Sequence, residues 1–377
     1  MKKKICFVVS TPVTVKAFLV NHIVDLSKIY DIYIVANGED QSLSILESLP
    51  VKEIKNIPIP RNINLIKDLK SLLELIAYNK SIEFDAVHTV TPKAGLLGIT
   101  AAKLSNIKVR THIFTGQVWH TKKGIFKQFL MFLDRVIVWN ATHILVDGES
   151  QRQYLIKNGI VKNSNSFVLG EGSISGVDYN RFVPNEETKL QVRTELGLAE
   201  NDIVFMFLGR MNKDKGIPEL AQAFNIISKN YKNARLLFVG GDEQNMTPLV
   251  KETVEEIEKV IFYGVTSEPE RLLQACDVFC LPSHREGFGT SVIEASLLEK
   301  PIICSDTYGL MATIVDNETG IRHKVNNVDS LKAAMENLLQ HPELRVQYGK
   351  NGRNYVLKNF TAQQITDEWV KFYKNIL

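Results

Sequence analysis

Residues 284–295, HREGFGTSVIEA, set two carboxylates, Glu286 and Glu294, on either side of a Gly-Phe-Gly turn. Gly287 and Gly289 let a ligand approach the backbone, and Thr290 or Ser291 is placed to cap a helix whose unpaired N–H groups face outward. Such a turn is either an anion site built from backbone or a plain tight turn. An ionised carboxylate accepts hydrogen bonds in pairs and suits the vicinal hydroxyls of a sugar. Glu286 precedes the helix, at the mouth of any site there. Glu294, taken alone, fits equally a charge on a solvated helix face. A second stretch, GRMNKDKG at 209–216, carries Arg210 and Lys215 just past an apolar run. A planar guanidinium and a compact ammonium together suit a phosphate pair, although loops after strands also carry solvated cations.

Absent patterns narrow the chemistry. The chain has no G-x-x-x-x-G-K-[ST] loop, and its first apolar run ends in Ser-Thr-Pro rather than G-x-G-x-x-G. Nucleoside triphosphate hydrolysis and dinucleotide redox chemistry lose support accordingly. No D-x-D pair is present to clamp a metal-bound diphosphate, and the eight histidines show no ligand spacing. A bound diphosphate would therefore be neutralised by Arg210, Lys215 and the helix end, with no metal.

The elements that must position these residues alternate along the chain. Apolar runs predict strands at 4–10, 31–36, 86–90, 109–114, 143–147 and 166–169, then at 203–209, 235–240, 260–264, 278–282 and 301–305. Stretches of helical period, such as 217–230 and 328–340, lie between them. Continuous apolar strands separated by helices imply parallel sheets covered on both faces. The pattern restarts at Ile203, after the Gly- and Pro-bearing stretch 169–187. Two doubly wound, Rossmann-like α/β domains follow, 1–183 and 184–360, facing each other across a cleft. A terminal amphipathic helix over about 361–377 is expected to pack back on the first domain. In such sheets ligands gather at the carboxyl ends of strands, where both motifs fall.

Bulk properties agree. The 377 residues exceed one ordinary core, and no stretch approaches the roughly 18–20 apolar residues needed to span a bilayer. The four cysteines form no C-x-x-C pair and suit reduced core positions. Charge is uneven: residues 1–185 hold 23 Lys/Arg against 15 Asp/Glu, and the remainder 22 against 27. A basic first half points to an anionic partner or surface.

Taken in order, G-R-x-x-x-x-K-G (209–216), E-G-F-G (286–289) and the Glu286-to-Glu294 spacing resemble the retaining family 4 glycosyltransferases of the GT-B fold. The resemblance covers the whole second half, including LLQACDVFCLPS and GVDYNRF. It implies that Glu286 contacts hydroxyls of the transferred sugar and that Glu294 holds the ribose of a nucleotide. Arg210 and Lys215 would grip the diphosphate and, with Glu286, form the catalytic set. The backbone of Gly287, Phe288, Gly289 and Thr290 would meet the phosphates, and Tyr263 and Val265 would flank the base. The implied chemistry is front-face transfer with retention, needing no metal and no cofactor beyond the nucleotide-sugar substrate, UDP being the expected carrier.

The first half departs from that family. A Gly-Gly loop is replaced by STPVTVK (10–16), leaving Thr11 and Lys16 as candidate acceptor-side residues. Thr115 stands where a sugar-facing histidine is common, with Trp119 nearby. The segment 120–139 mixes Lys122, Lys123 and Lys127 with phenylalanines and leucines. It fits a helix lying in a membrane interface, or equally a core helix whose lysines cover its rim. Similar bacterial enzymes extend glycans on polyprenyl-diphosphate carriers, which implies a lipid-linked saccharide acceptor and a surface polymer such as O-antigen, capsule or exopolysaccharide. The expected location is cytoplasmic, peripheral on the inner membrane surface, with no nucleic-acid partner. Two other readings stay open: a sugar-nucleotide epimerase or phosphorylase of the same fold, and a non-catalytic nucleotide-sugar-binding subunit.

Overall fold

The computed structural model describes residues 1–38, 43–60 and 63–377. The chain divides into two units, one comprising Met1–Gly176 with Ala362–Leu377 and the other Val177–Thr361. The expected change of domain at 183/184 is therefore too late. Val177 N donates to Phe360 O at 2.9 Å, and Val177 and Phe182 both belong to the second unit's core.

The first unit carries strands β1 (Lys4–Val8), β2 (Asp31–Ala36), β3 (Glu53–Asn56), β4 (Ala86–Val90), β5 (Val109–Phe114), β6 (His143–Val146) and β7 (Ser166–Phe167). All pair in parallel in the order β3-β2-β1-β4-β5-β6-β7. Its helices are α1 (Pro12–Phe18), α2 (Val20–Ser27), α3 (Leu65–Ile82), α4 (Pro92–Leu104), α5 (Gly124–Asn140) and α6 (Glu149–Lys157). Right-handed crossovers put α1 and α2 on one face of the sheet and α3, α4, α5 and α6 on the other. The central strands are buried along their length apart from Lys4 at the start of β1, as continuous apolar runs require.

The second unit runs α7 (Glu186–Glu195), β8 (Ile203–Leu208), α8 (Ile217–Asn230), β9 (Ala234–Val239), α9 (Met246–Thr253), β10 (Val260–Gly264), α10 (Pro269–Leu272), β11 (Val278–Leu281), α11 (Thr290–Leu297), β12 (Ile302–Ser305), β13 (Gly320–His323), α12 (Val328–Gln340) and α13 (Pro342–Asn359). Its six strands order as β10-β9-β8-β11-β12-β13. In each sheet the winding reverses beside the first strand, between β1 and β4 and between β8 and β11. Open α/β sheets bind ligands at such switch points.

Two strands have no counterpart among the apolar runs. Both β3 (EIKN) and β13 (GIRH) are edge strands, half exposed and charged, so they lack the buried-strand pattern.

The last helix, α14 (Ala362–Ile376), packs on the first unit through Ile365, Trp369, Phe372 and Tyr373. The Trp369 ring is stacked between His22, 4.5 Å away, and His88, 4.8 Å away. His22 bonds Thr366 Oγ1 at 2.9 Å and Ile174 O at 2.7 Å, and His88 bonds the Tyr373 hydroxyl at 2.7 Å. The four cysteines are buried and free.

Candidate functional site

The loops after β8 and β11 leave the second sheet side by side at its switch point. Asn212 turns the first loop, accepting from Lys215 N at 3.1 Å. At Gly216 the backbone is left-handed (φ 70°), and an added Cβ would lie 2.1 Å from Pro282 O. The Lys215 loop is thus pressed onto the strand that delivers Glu286, and only glycine fits the contact. On the far side of Glu286, a Cβ on Gly309 would meet Glu286 O at 2.2 Å. Thr307 Oγ1 donates to His284 O at 3.1 Å, and Ser305 Oγ bonds Ser283 O. The segment after β8, and the end of β12 with the segment that follows it, therefore hold the backbone of residues 282–286 from either side.

The structure joins Lys215 to Glu286 directly, Nζ to Oε1, with both side chains largely buried. Arg210 is more exposed, and its Nη1 donates to Glu243 Oε1 at 2.7 Å while Asn212 Nδ2 donates to Glu243 Oε2 at 3.0 Å. Glu243, in the loop after β9, thereby joins the candidate site, which its sequence did not mark. The acidic GGDEQ run following a strand was its only signal.

After Glu286 the backbone opens. The N–H groups of Gly287, Phe288, Gly289 and Ser291 meet no acceptor among the described residues. The expected cap is corrected here: Gly289, not Thr290 or Ser291, is the N-cap of α11 and no side chain closes it. Thr290 N donates to Phe288 O at 2.9 Å and so is not free for a ligand. The Phe288 ring is buried against Phe360, 5.3 Å away, which anchors the turn by its side chain while its amide faces outward. A row of open amides ahead of a helix is an anion site.

Glu294 sits in the second turn of α11, half-buried, without a hydrogen-bond or ion-pair partner among the described residues. Burial raises its pKa to about 7, against the pull of Arg181, with Glu270 adding to the rise. A solvated helix charge would not be perturbed in this way. A half-buried acid perturbed in this way, without a partner among the described residues, is a candidate ligand group. Tyr263 and Val265, at the end of β10, are exposed apolar side chains beside Gly264, whose carbonyl accepts from Gly240 N at 2.8 Å.

The first unit treats its four candidates differently. Thr11 follows β1, buried, with its hydroxyl 3.2 Å from that of Thr14, and Ser10 Oγ lies 2.7 Å from Thr91 Oγ1 after β4. Lys16 is exposed on α1. Thr115 follows β5 half-buried, its carbonyl accepting from Gln117 Nε2 at 2.7 Å and Gln151 Nε2 at 2.6 Å. Trp119 does not face a ligand. It is buried, donates from Nε1 to Asp134 Oδ2 at 2.7 Å and stacks on Tyr154, so it belongs to the core. His112 is likewise core, bonded to Thr89 Oγ1 at 2.8 Å, its pKa lowered by burial to about 3. A further candidate is Asp147, after β6: it is buried, its Oδ1 has no partner among the described residues, and burial raises its pKa to about 8. No sequence motif distinguishes it.

No cluster of His, Cys, Asp or Glu able to hold a metal occurs among the described residues.

Two doubly wound units with donor-type motifs at the switch point of the second define the GT-B class. Residues 189–355 match the family described as glycosyl transferases group 1, and residues 4–140 match glycosyl transferase 4-like. The chain is 34% identical over 330 residues to the capsular polysaccharide biosynthesis glycosyltransferase CapM of Staphylococcus aureus, covering 85% of this chain and 84% of that protein. It belongs to this glycosyltransferase family. It is also 27% identical to the UDP-Gal:alpha-D-GlcNAc-diphosphoundecaprenol alpha-1,3-galactosyltransferase of Escherichia coli, over 83% of this chain and 81% of that one. Anabaena HepE, solved in complex with UDP, has the same fold, with a TM-score of 0.81 at 17% identity over 99% of this chain and 100% of that one.

Proposed function

We propose that this glycosyltransferase moves a hexosyl or N-acetylhexosaminyl group from a UDP-sugar, with retention, to a lipid-linked saccharide of a bacterial surface polysaccharide. The observation that carries it is the Lys215–Glu286 pair beside the open amides of Gly287, Phe288, Gly289 and Ser291. The amides and Lys215 take the diphosphate, and Arg210 completes the neutralisation by exchanging Glu243 for a phosphate oxygen. Charge growing on the leaving diphosphate meets donors that are already in place, which lowers the barrier without reorganisation. Glu286, held by Lys215, orients the sugar hydroxyls and favours cationic character at the anomeric carbon. Glu294 accepts from the ribose hydroxyls, and Tyr263 and Val265 flank the base. Thr11, Lys16 and Thr115 serve the acceptor side.

Charge neutralisation by side chains and amides makes the transfer metal-independent, and the nucleotide sugar is a substrate, so no cofactor is needed. A lipid-linked acceptor places the protein peripherally on the inner face of the cytoplasmic membrane. The capsular polysaccharide role of the Staphylococcus relative and the diphosphoundecaprenol-linked acceptor of the Escherichia one support the polymer class and the acceptor type. The test is turnover of UDP-sugars with a short-chain lipid-diphosphate saccharide, reading the product's anomeric configuration by NMR. An α product from an α-linked donor is expected, and a β product overturns retention.

A further inference from the structure

Two helices on the same face of the first sheet turn apolar rows to solvent. On α3 the row is Leu65, Ile66, Leu69 and Leu73, with Ile66 84% exposed. On α5 it is Ile125, Phe126, Phe129, Phe132 and Trp139, with Ile125 89% and Trp139 62% exposed. Each row lies opposite the helix's own buried stripe, Ser71, Leu75, Tyr78 and Asn79 on α3 and Met131, Asp134, Ile137 and Val138 on α5. Neither row is therefore left over from core packing. α4 packs between the two helices. Both helices begin at the carboxyl edge of the sheet, so their first turns look out from the edge that carries Thr11 and Thr115.

The charges of this layer have one sign left over. The acids of α3, α4 and α5 are Asp68, Glu74 and Asp134, and Glu149 of α6 on the same face is paired with Arg152 at 3.1 Å. Asp68 is paired with Lys93 at 2.5 Å, Glu74 lies 3.9 Å from Lys70, and Asp134 is buried under Trp119. Lys67, Lys103, Lys122 and Lys123 stay exposed around the apolar rows. A second copy of the chain would bring like charges together, whereas an anionic lipid surface complements them. No helix among the described residues is long and apolar enough to cross a membrane.

We propose that the apolar rows of α3 and α5, with their surrounding lysines, form a single docking face that lies in the interface of an anionic phospholipid bilayer. The inference deepens the membrane-side reading given above and rests on it. Phe126, Phe129 and Trp139 enter the headgroup boundary from one side, Ile66 and Leu69 from the other, and the lysines meet lipid phosphates. The sheet's carboxyl edge is then held at the depth where a lipid-borne diphosphate lies.

The experiment is co-sedimentation of the full chain with phosphatidylethanolamine vesicles with or without phosphatidylglycerol. It compares wild type, Ile66→Ser/Leu69→Ser and Phe126→Ser/Phe129→Ser, each checked by melting curve. Wild type should bind the phosphatidylglycerol vesicles and lose binding as salt rises. Each double substitution should weaken partitioning about tenfold or more. Turnover of a water-soluble acceptor analogue should stay unchanged in both. Loss on the α5 variant alone overturns the two-helix face. Absence of wild-type binding, or a dimer in solution that either variant disperses, overturns the bilayer as the occupant. Vesicle binding without any sugar transfer supports the docking face and instead contradicts the function proposed above.

Discussion

At the scale of single residues, the side chains proposed to face the donor are of two kinds: Lys215, Arg210 and Glu286 are held in ion pairs, and Glu294 has no partner among the described residues. Glu294 is the clearest case, with a half-buried carboxyl, no partner among the described residues and a pKa raised to about 7 by burial. Ribose hydroxyls donate to the ionised form, so binding should tighten as pH rises through 7 and Glu294 gives up its proton. UDP affinity by calorimetry should improve about tenfold between pH 6 and 8, and Glu294→Gln should bind weakly with a flat profile. A wild-type profile that falls across this range would contradict the role. The Glu286-to-Glu294 spacing and the Gly-Phe-Gly turn were legible because the glycines, the acids and the cations of residues 209–216 are fixed in type by their chemistry. Glu243, Asp147 and the core role of Trp119 were not. An acid that braces an arginine, an acid left alone in a core and a tryptophan that fills one carry no local pattern, and only the packing around them assigns their roles.

At the scale of elements, the loop after β8 is set by one steric fact. Gly216→Ala puts a methyl group 2.1 Å from Pro282 O, so the loop must move and carry Lys215 away from Glu286. The expected result is a loss of turnover of about a hundredfold together with a lowered melting temperature, since alanine is strained at this left-handed position. Unchanged turnover would show that the contact does not matter. The C-terminal helix is the second case. Its apolar stripe was legible from residues 361–377, but its partners, His22 and His88 around Trp369, come from distant strands and helices and were not. His22 is held neutral by burial, against its bond to Ile174 and the nearby Asp25, with a pKa of about 4 against 6.5 for the free side chain. The unfolded chain therefore takes up the proton first. Stability from this group is whole above pH 6.5 and is lost as pH falls from 6.5 through 4, about 3 kcal/mol in all. Melting temperature should drop across that window in wild type and less steeply in His22→Gln. Equal slopes would remove His22 as the cause. Edge strands β3 and β13 escaped the sequence reading for the opposite reason: half exposure erases the apolar run by which buried strands are found.

At the scale of the whole molecule, each unit repeats one winding, yet the two differ in what the switch point carries. The second presents cations, open amides and the carboxylates of Glu286 and Glu294. The first presents hydroxyls, Asp147 and a basic helical layer. That division suits a small charged donor on one unit and a lipid-borne acceptor on the other. Under the proposed neutralisation by Lys215, Arg210 and backbone amides, turnover should persist in excess EDTA, and strict dependence on added magnesium or manganese would refute the metal-free scheme. The central claim, that the Lys215–Glu286 loops hold and activate a nucleotide sugar, is tested most directly by comparing wild type with Glu286→Gln for UDP affinity and turnover in parallel. The account predicts UDP affinity within about threefold and turnover reduced at least about a hundredfold. Equal loss of both, or turnover that survives the substitution, would contradict it.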